Sequence, residues 1–134
     1  MPHSLALPPA VVVHGLADVR AALRPGRSVT LLSAPGAASY AGCGWWRALV
    51  AQALAEAGRD APDVLDCADA PGRAVEALRA GCRCLVLDPA VPAFADIAAR
   101  AAASGAAVLP ARPVALDLAR PGAARRLDAW LAIG

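Results

Sequence analysis

The sequence predicts an α/β fold, a three-layer sandwich built on a five-stranded parallel sheet. Three observations carry this. Five short apolar segments recur along the chain, all but the third nearly unbroken runs, each is followed by apolar residues at helical spacing, and glycine or proline marks most junctions. Strands that are apolar on both faces suit a parallel sheet with helices packed on it. Regular alternation of strand and helix implies right-handed crossovers.

The elements follow in order. Residues 1–9 read as an irregular N-terminal arm broken by Pro2, Pro8 and Pro9, and residues 10–13 as the first strand, ended by His14 and Gly15. Leu16, Val19 and Leu23 fall on one helical face, and Pro25 and Gly26 stop that helix. Residues 29–32 form the second strand. A glycine-rich loop then leads to a helix whose stripe is Trp46, Leu49, Val50, Ala53, Leu54 and Ala57, with Gly58 placed as its C′ residue. Val64 and Leu65 make a short third strand. Pro71 sits in the first turn of the next helix, which carries Ala74, Val75 and Leu78 and closes at Gly81. Residues 84–87 are the fourth strand, Phe94, Ile97, Ala98 and Ala101 the following helix, and residues 106–109 the fifth strand. After a proline-spaced connection, Ala123, Leu127, Trp130 and Leu131 form a closing helix. Flavodoxin-like and Rossmann-like strand orders both fit. A fragment of a βα barrel is a weaker option, drawn from the unit at residues 80–88, with too few strands to close.

A chain of 134 residues suits a single α/β domain spanning residues 1–134, large enough to fold without a disulfide or metal. Hydrophobic residues make up 58% and aromatics only 4%, so alanine, leucine and valine build the core. All thirteen basic residues are arginine. With eleven acids the net charge is +2, and no basic stripe of the kind that binds nucleic acid is present. No signal peptide is recognisable, and no apolar run is long enough to span a bilayer, so the expectation is a cytoplasmic protein with neither a nucleic-acid nor a membrane partner. Cys43, Cys67, Cys82 and Cys84 show no Cys-x-x-Cys spacing and read as reduced packing residues. Alternation along the fourth strand places Cys82 and Cys84 on one face.

Ligands of parallel sheets bind at the carboxyl ends of the strands. In this chain those ends hold His14, Ser33, Asp66, Cys67, Asp69 and Asp88, with Arg112 beyond the fifth strand. Asp69 and Asp88 also stand where helix caps belong, and His14 is placed to cap the first helix. The loop 33–44 has the geometry of a strand leading to a helix N-terminus, which presents backbone N–H groups to an anion. Its candidate ligand residues are Ser33, Gly36, Ser39, Tyr40, Gly42, Cys43 and Gly44, joined by Asp66 and Asp88. Cys43 lies between two glycines before a helix, where a thiolate is favoured, so it is also a candidate nucleophile with His14 or Asp66 as acid or base. His14, Cys43 and Cys67 lack metal-ligand spacing, so no metal site is expected. Trp46 belongs to the helical stripe, whereas Trp45 at its border is free to cover a pocket or a partner.

Familiar phosphate motifs are excluded. The run from Gly42 to Arg47 begins like a dinucleotide fingerprint but has arginine at the third glycine position. A Walker A loop needs a lysine, and this chain has none. Gly-x-Ser-x-Gly is absent. The block HGLADVRAALRPGRSVTLLSAPGAASYAGCGWW, with DCADAPGRAVEALRAG and LVLDP, resembles a group of small uncharacterised α/β proteins from GC-rich bacteria. That resemblance implies a stand-alone bacterial domain and carries no activity, cofactor or catalytic residue onto these positions. Three functions follow from the residues: binding of a small anionic ligand at the loop 33–44, a thiol-dependent enzyme using Cys43, or a homodimeric interaction protein using Trp45.

Overall fold

A computed structural model describes residues 6–133. Six strands form one parallel sheet: β1 (Ala10–Val12), β2 (Thr30–Leu32), β3 (Asp63–Asp66), β4 (Cys84–Val86), β5 (Ala107–Leu109) and β6 (Ala115–Asp117). Six helices accompany them: α1 (Leu16–Leu23), α2 (Ala37–Tyr40), α3 (Cys43–Ala57), α4 (Pro71–Arg79), α5 (Phe94–Ala103) and α6 (Ala123–Leu131). The α/β class and the parallel sheet are as expected. The sheet has six strands rather than five, because the connection before the last helix itself contains β6. The glycine-rich loop also contains the single turn α2.

The strand order is β5-β4-β3-β2-β1-β6, neither flavodoxin-like nor Rossmann-like. The chain adds strands in one direction from β1 to β5, so every right-handed crossover places its helix on the same side. Side-chain packing agrees. Val11, Leu31, Leu65 and Leu85 join a core with Val19, Trp46, Val50, Ala74, Ile97 and Leu127 from the helices. Residues of the opposite parity, Ala10, Val12, Leu32, Val64, Cys84 and Val86, form a separate buried cluster with no helical member.

That helix-free face is buried because the sheet curls over it. A flat six-stranded sheet would hold β5 and β6 about 24 Å apart. The six residue steps from Leu109 to Ala115 reach at most about 22 Å and must also return from the carboxyl end of β5 to the amino end of β6. The edges therefore approach one another, with β5 and β6 unpaired across an open seam. The arrangement is closer to an incomplete βα barrel than to a sandwich with helices on both faces. Leu7 packs into the inner cluster, and Thr30 donates through Oγ1 to Pro8 O at 2.8 Å, closing the amino end. The rest of the expected N-terminal arm, residues 1–5, lies outside the described residues.

Local sequence accounts for the best-defined helix. α3 buries Trp46, Val50 and Ala53 along its inner stripe and ends at Gly58, whose φ of 64° is the left-handed conformation that glycine adopts without a Cβ clash. Trp46 Nε1 donates to Asp63 Oδ1 at 2.9 Å. Burial raises the Asp63 carboxyl above its ordinary 3.8, opposed by this hydrogen bond and by the charge of Arg47. Cys82 and Cys84 do not share a face. Cys82 N bonds Ala77 O in the turn closing α4, ahead of the strand, so Cys82 joins the helix-side core and Cys84 the inner cluster.

Candidate functional site

The carboxyl ends of β2, β3 and β4 meet at an open cleft of about 450 Å³ walled by Pro35, Gly36, Asp66, Ala68, Asp69, Asp88 and Pro110. Its most structured feature is Asp66, the last residue of β3, only 3% exposed. Ala68 N donates to Asp66 Oδ1 at 2.7 Å, and Arg112 Nη1 donates to Asp66 Oδ2 at 2.7 Å and to Ser33 O at 3.0 Å. Ser33 Oγ accepts from Asp66 N and donates to Ala34 O, so the serine hydroxyl is used in both directions. Ion pair, serine and backbone thus form one satisfied network joining the ends of β2 and β3 to the strap between β5 and β6.

Ala68 has φ of 50° and is the only non-glycine residue with positive φ among the described residues. A left-handed alanine costs about 1–2 kcal/mol. Two hydrogen bonds hold it, Ala68 N to Asp66 and Asp88 N to Ala68 O at 2.8 Å. Gly36 stands against it, with the position of a would-be Cβ 3.8 Å from Ala68 Cβ. Asp88 closes its own turn, its Oδ1 accepting from Ala90 N at 2.9 Å. The capping roles expected of Asp69 and Asp88 do not occur: Ala70 and Ala93 are the N-cap residues of α4 and α5, and neither helix has a side-chain cap.

The other predicted residues lie apart from this network. His14 is exposed, with Nε2 2.7 Å from Asp117 Oδ1, and its backbone N donates to Asp18 Oδ2. Gly15, not His14, is the N-cap residue of α1. Burial acts to raise the Asp117 carboxyl, but hydrogen bonds from His14 and Ala119 N outweigh it and hold the group below 3.8. Ser39 and Tyr40 in α2, Gly42 as the N-cap of α3 and Gly44 in its first turn do not line the cleft; Tyr40 is 69% exposed.

Cys43 is buried in the helix-side core and makes no side-chain hydrogen bond or ion pair among the described residues. Burial pushes the Cys67 thiol up to about 12 and those of Cys82 and Cys84 to about 11. Among the described residues no three His, Cys, Asp or Glu side chains stand where they could hold a metal ion. No described helix is long and apolar enough to cross a membrane.

Sequence reasoning brought Ser33, Gly36, Asp66, Asp88 and Arg112 to one edge. It missed Asp117, because the strand carrying it was not recognised, and it missed the strain at Ala68. An Asp-x-Ala-Asp run directly after an apolar strand is the signal that could have suggested a side-chain-closed turn there. Neither a family model nor a curated protein matches the chain.

Proposed function

We propose that the protein binds a small polar ligand in the cleft at the carboxyl ends of β2, β3 and β4. The observation that carries this reading is the buried Asp66–Arg112 pair at the cleft wall. A buried ion pair contributes little to folding that apolar packing could not supply, and its use is in fixing a polar arrangement. The left-handed Ala68 beside it is a second local cost, of a kind that clusters at ligand clamps. In curled and open parallel sheets alike this edge is where ligands sit.

The charge of the cleft bears on the ligand. Asp69 and Asp88 line it without a cation partner among the described residues, while Arg112 is already engaged by Asp66. That balance supports a ligand rich in amine or hydroxyl donors over the small anion suggested by the loop 33–44. The test is a titration of isotope-labelled protein with amines, polyols and phosphates, following the amide signals of Gly36, Ala68 and Ala90. Saturable shifts from an amine or polyol, weakened at least tenfold by Asp88→Asn, are expected. Silence at all three positions across the panel would remove the reading.

A second reading rests on exposure. Tyr40 at the end of α2 and Trp45 in the first turn of α3, 69% and 39% exposed, offer aromatic surface to a partner. Sedimentation of the wild type and of Trp45→Ala separates a self-associating protein from a monomer. The thiol enzyme has no comparable support, since Cys43 makes no side-chain hydrogen bond or ion pair with an acid or base among the described residues.

A further inference from the structure

A second cavity of about 450 Å³ lies at the opposite end of the helical layer from the cleft, between the C-terminal halves of α1 and α3. It is lined by Arg20, Arg24, Arg59 and Glu56, with Leu23, Ala53 and Ala57 among its apolar residues. The lining carries three guanidinium groups against one carboxylate, a formal charge of +2, equal to the net charge of the entire chain. Positive charge that the rest of the molecule balances is left over here.

The arginines are not equivalent. Arg20 grips Glu56 through Nε and Nη2, both at 2.8 Å, using one edge of its guanidinium and leaving Nη1 open. Arg59 donates to Leu23 O and Arg27 O, so it is fixed in place by the end of α1. Interaction with the negative end of a helix accounts for Arg59. Arg24, the C-cap residue of α1, is placed to offset that end as well, yet it is exposed and donates no side-chain hydrogen bond among the described residues, so its guanidinium donors stay free beside the cavity. Asp128 of α6 lies across a neighbouring groove from Arg24 without pairing with it, and Asp60 follows Arg59 on the far side.

We propose that this groove binds a small ligand combining a phosphate monoester with an apolar body, the anion held by Arg24 and the open edge of Arg20 and the body lying on the exposed Ala57 and the alkyl stems of the arginines. Guanidinium groups recognise phosphate through paired donors. Glu56, held by its hydrogen bonds from Arg20 down at about 2, stays charged and keeps Arg20 oriented without neutralising the other two arginines. The site is independent of the cleft.

The experiment uses phenyl phosphate as probe, with phenol and inorganic phosphate as controls, titrated into the labelled full-length protein. Phenyl phosphate is expected to shift the amides of Arg24, Ala53 and Ala57 saturably, more tightly than inorganic phosphate, with phenol inert. Arg24→Glu, a surface change that leaves the core intact, should weaken binding at least tenfold. Ala57→Gln, which puts a longer side chain into the groove from an exposed position, should also block binding while leaving the core intact. Absence of saturable shifts, or shifts that persist unchanged in Arg24→Glu, would overturn the proposal. Equal binding of phenyl phosphate and inorganic phosphate would overturn the apolar subsite.

Discussion

Replacing Arg112 by alanine tests the network at the cleft most directly. The substitution removes the 2.7 Å partner of Asp66 Oδ2 and the donor to Ser33 O, leaving a carboxylate that is 3% exposed with only the Ala68 N–H on its side chain. Breaking a buried pair from one side costs about 3–5 kcal/mol. The Arg112 side chain is 27% exposed, so water admitted by its loss recovers part of this, and about 2–3 kcal/mol is the expected destabilisation. For a chain of this length that corresponds to a fall in Tm of about 8–12 °C. Urea unfolding of wild type, Arg112→Ala, Asp66→Asn and the double variant completes the test as a double-mutant cycle. A neutral amide does not need the cation, so the double variant should lose much less than the two single losses added together. A loss below about 1 kcal/mol for Arg112→Ala, or strict additivity in the cycle, would show that the pair is not a buried, coupled interaction and would take the proposed function down with it.

Three further outcomes are expected. Ala68→Gly removes the left-handed Cβ cost while adding chain entropy to the unfolded state, so the variant should be more stable by about 0.5–1 kcal/mol in urea unfolding, and weaker in ligand binding if the turn is held for that purpose. Asp63 has a folded pKa raised above its ordinary 3.8, so its protonated form favours the folded state: the stability it contributes is complete below 3.8 and is lost as pH rises through the folded value. Asp63→Asn keeps an acceptor for Trp46 and should therefore raise stability at pH 7, by an amount on the order of 1 kcal/mol, and give no gain at pH 3, as read from urea midpoints at the two pH values. All four thiols are buried, and burial holds Cys67, Cys82 and Cys84 at about 11–12, so iodoacetamide at pH 8 should leave the native protein unmodified over a time in which the urea-unfolded chain reacts completely. Rapid labelling of Cys43 alone would restore the thiol reading.

The legible parts of the fold were those where one residue pattern admits one structure. The stripe from Trp46 to Ala57 ending at Gly58 suits only a helix buried on one side, and it is α3 almost to the residue. Strand order was not legible, because three-residue strands apolar on both faces pair equally well with any neighbour, and their order is set by helix packing. β6 was hidden for a related reason: Ala115, Leu116 and Asp117 follow two prolines, include a charge and are only half-buried at a sheet edge. Asp66 and Arg112 were each placed at the carboxyl edge, but their contact spans 46 residues and depends on the curl that brings the strap over β2 and β3. Cys82 was misplaced because the period of two was extended one turn too early, into the end of α4. Helix capping by Asp69 and Asp88 failed because proline and tight turns start α4 and α5 instead.

The order of the strands also bears on how the chain folds. From β1 to β5 each strand pairs with its neighbour in sequence, so successive units can dock by closing short loops, which is fast. β1 alone must wait on one side, because its partner there is β6, with Ala10 matched to Ala115. During synthesis that edge of β1 stays open until residues 115–117 have emerged. An unpaired, fully apolar parallel edge is a template for pairing with other chains. Association during refolding should therefore centre on β1, and should be suppressed by whatever hastens the arrival of residues 115–117.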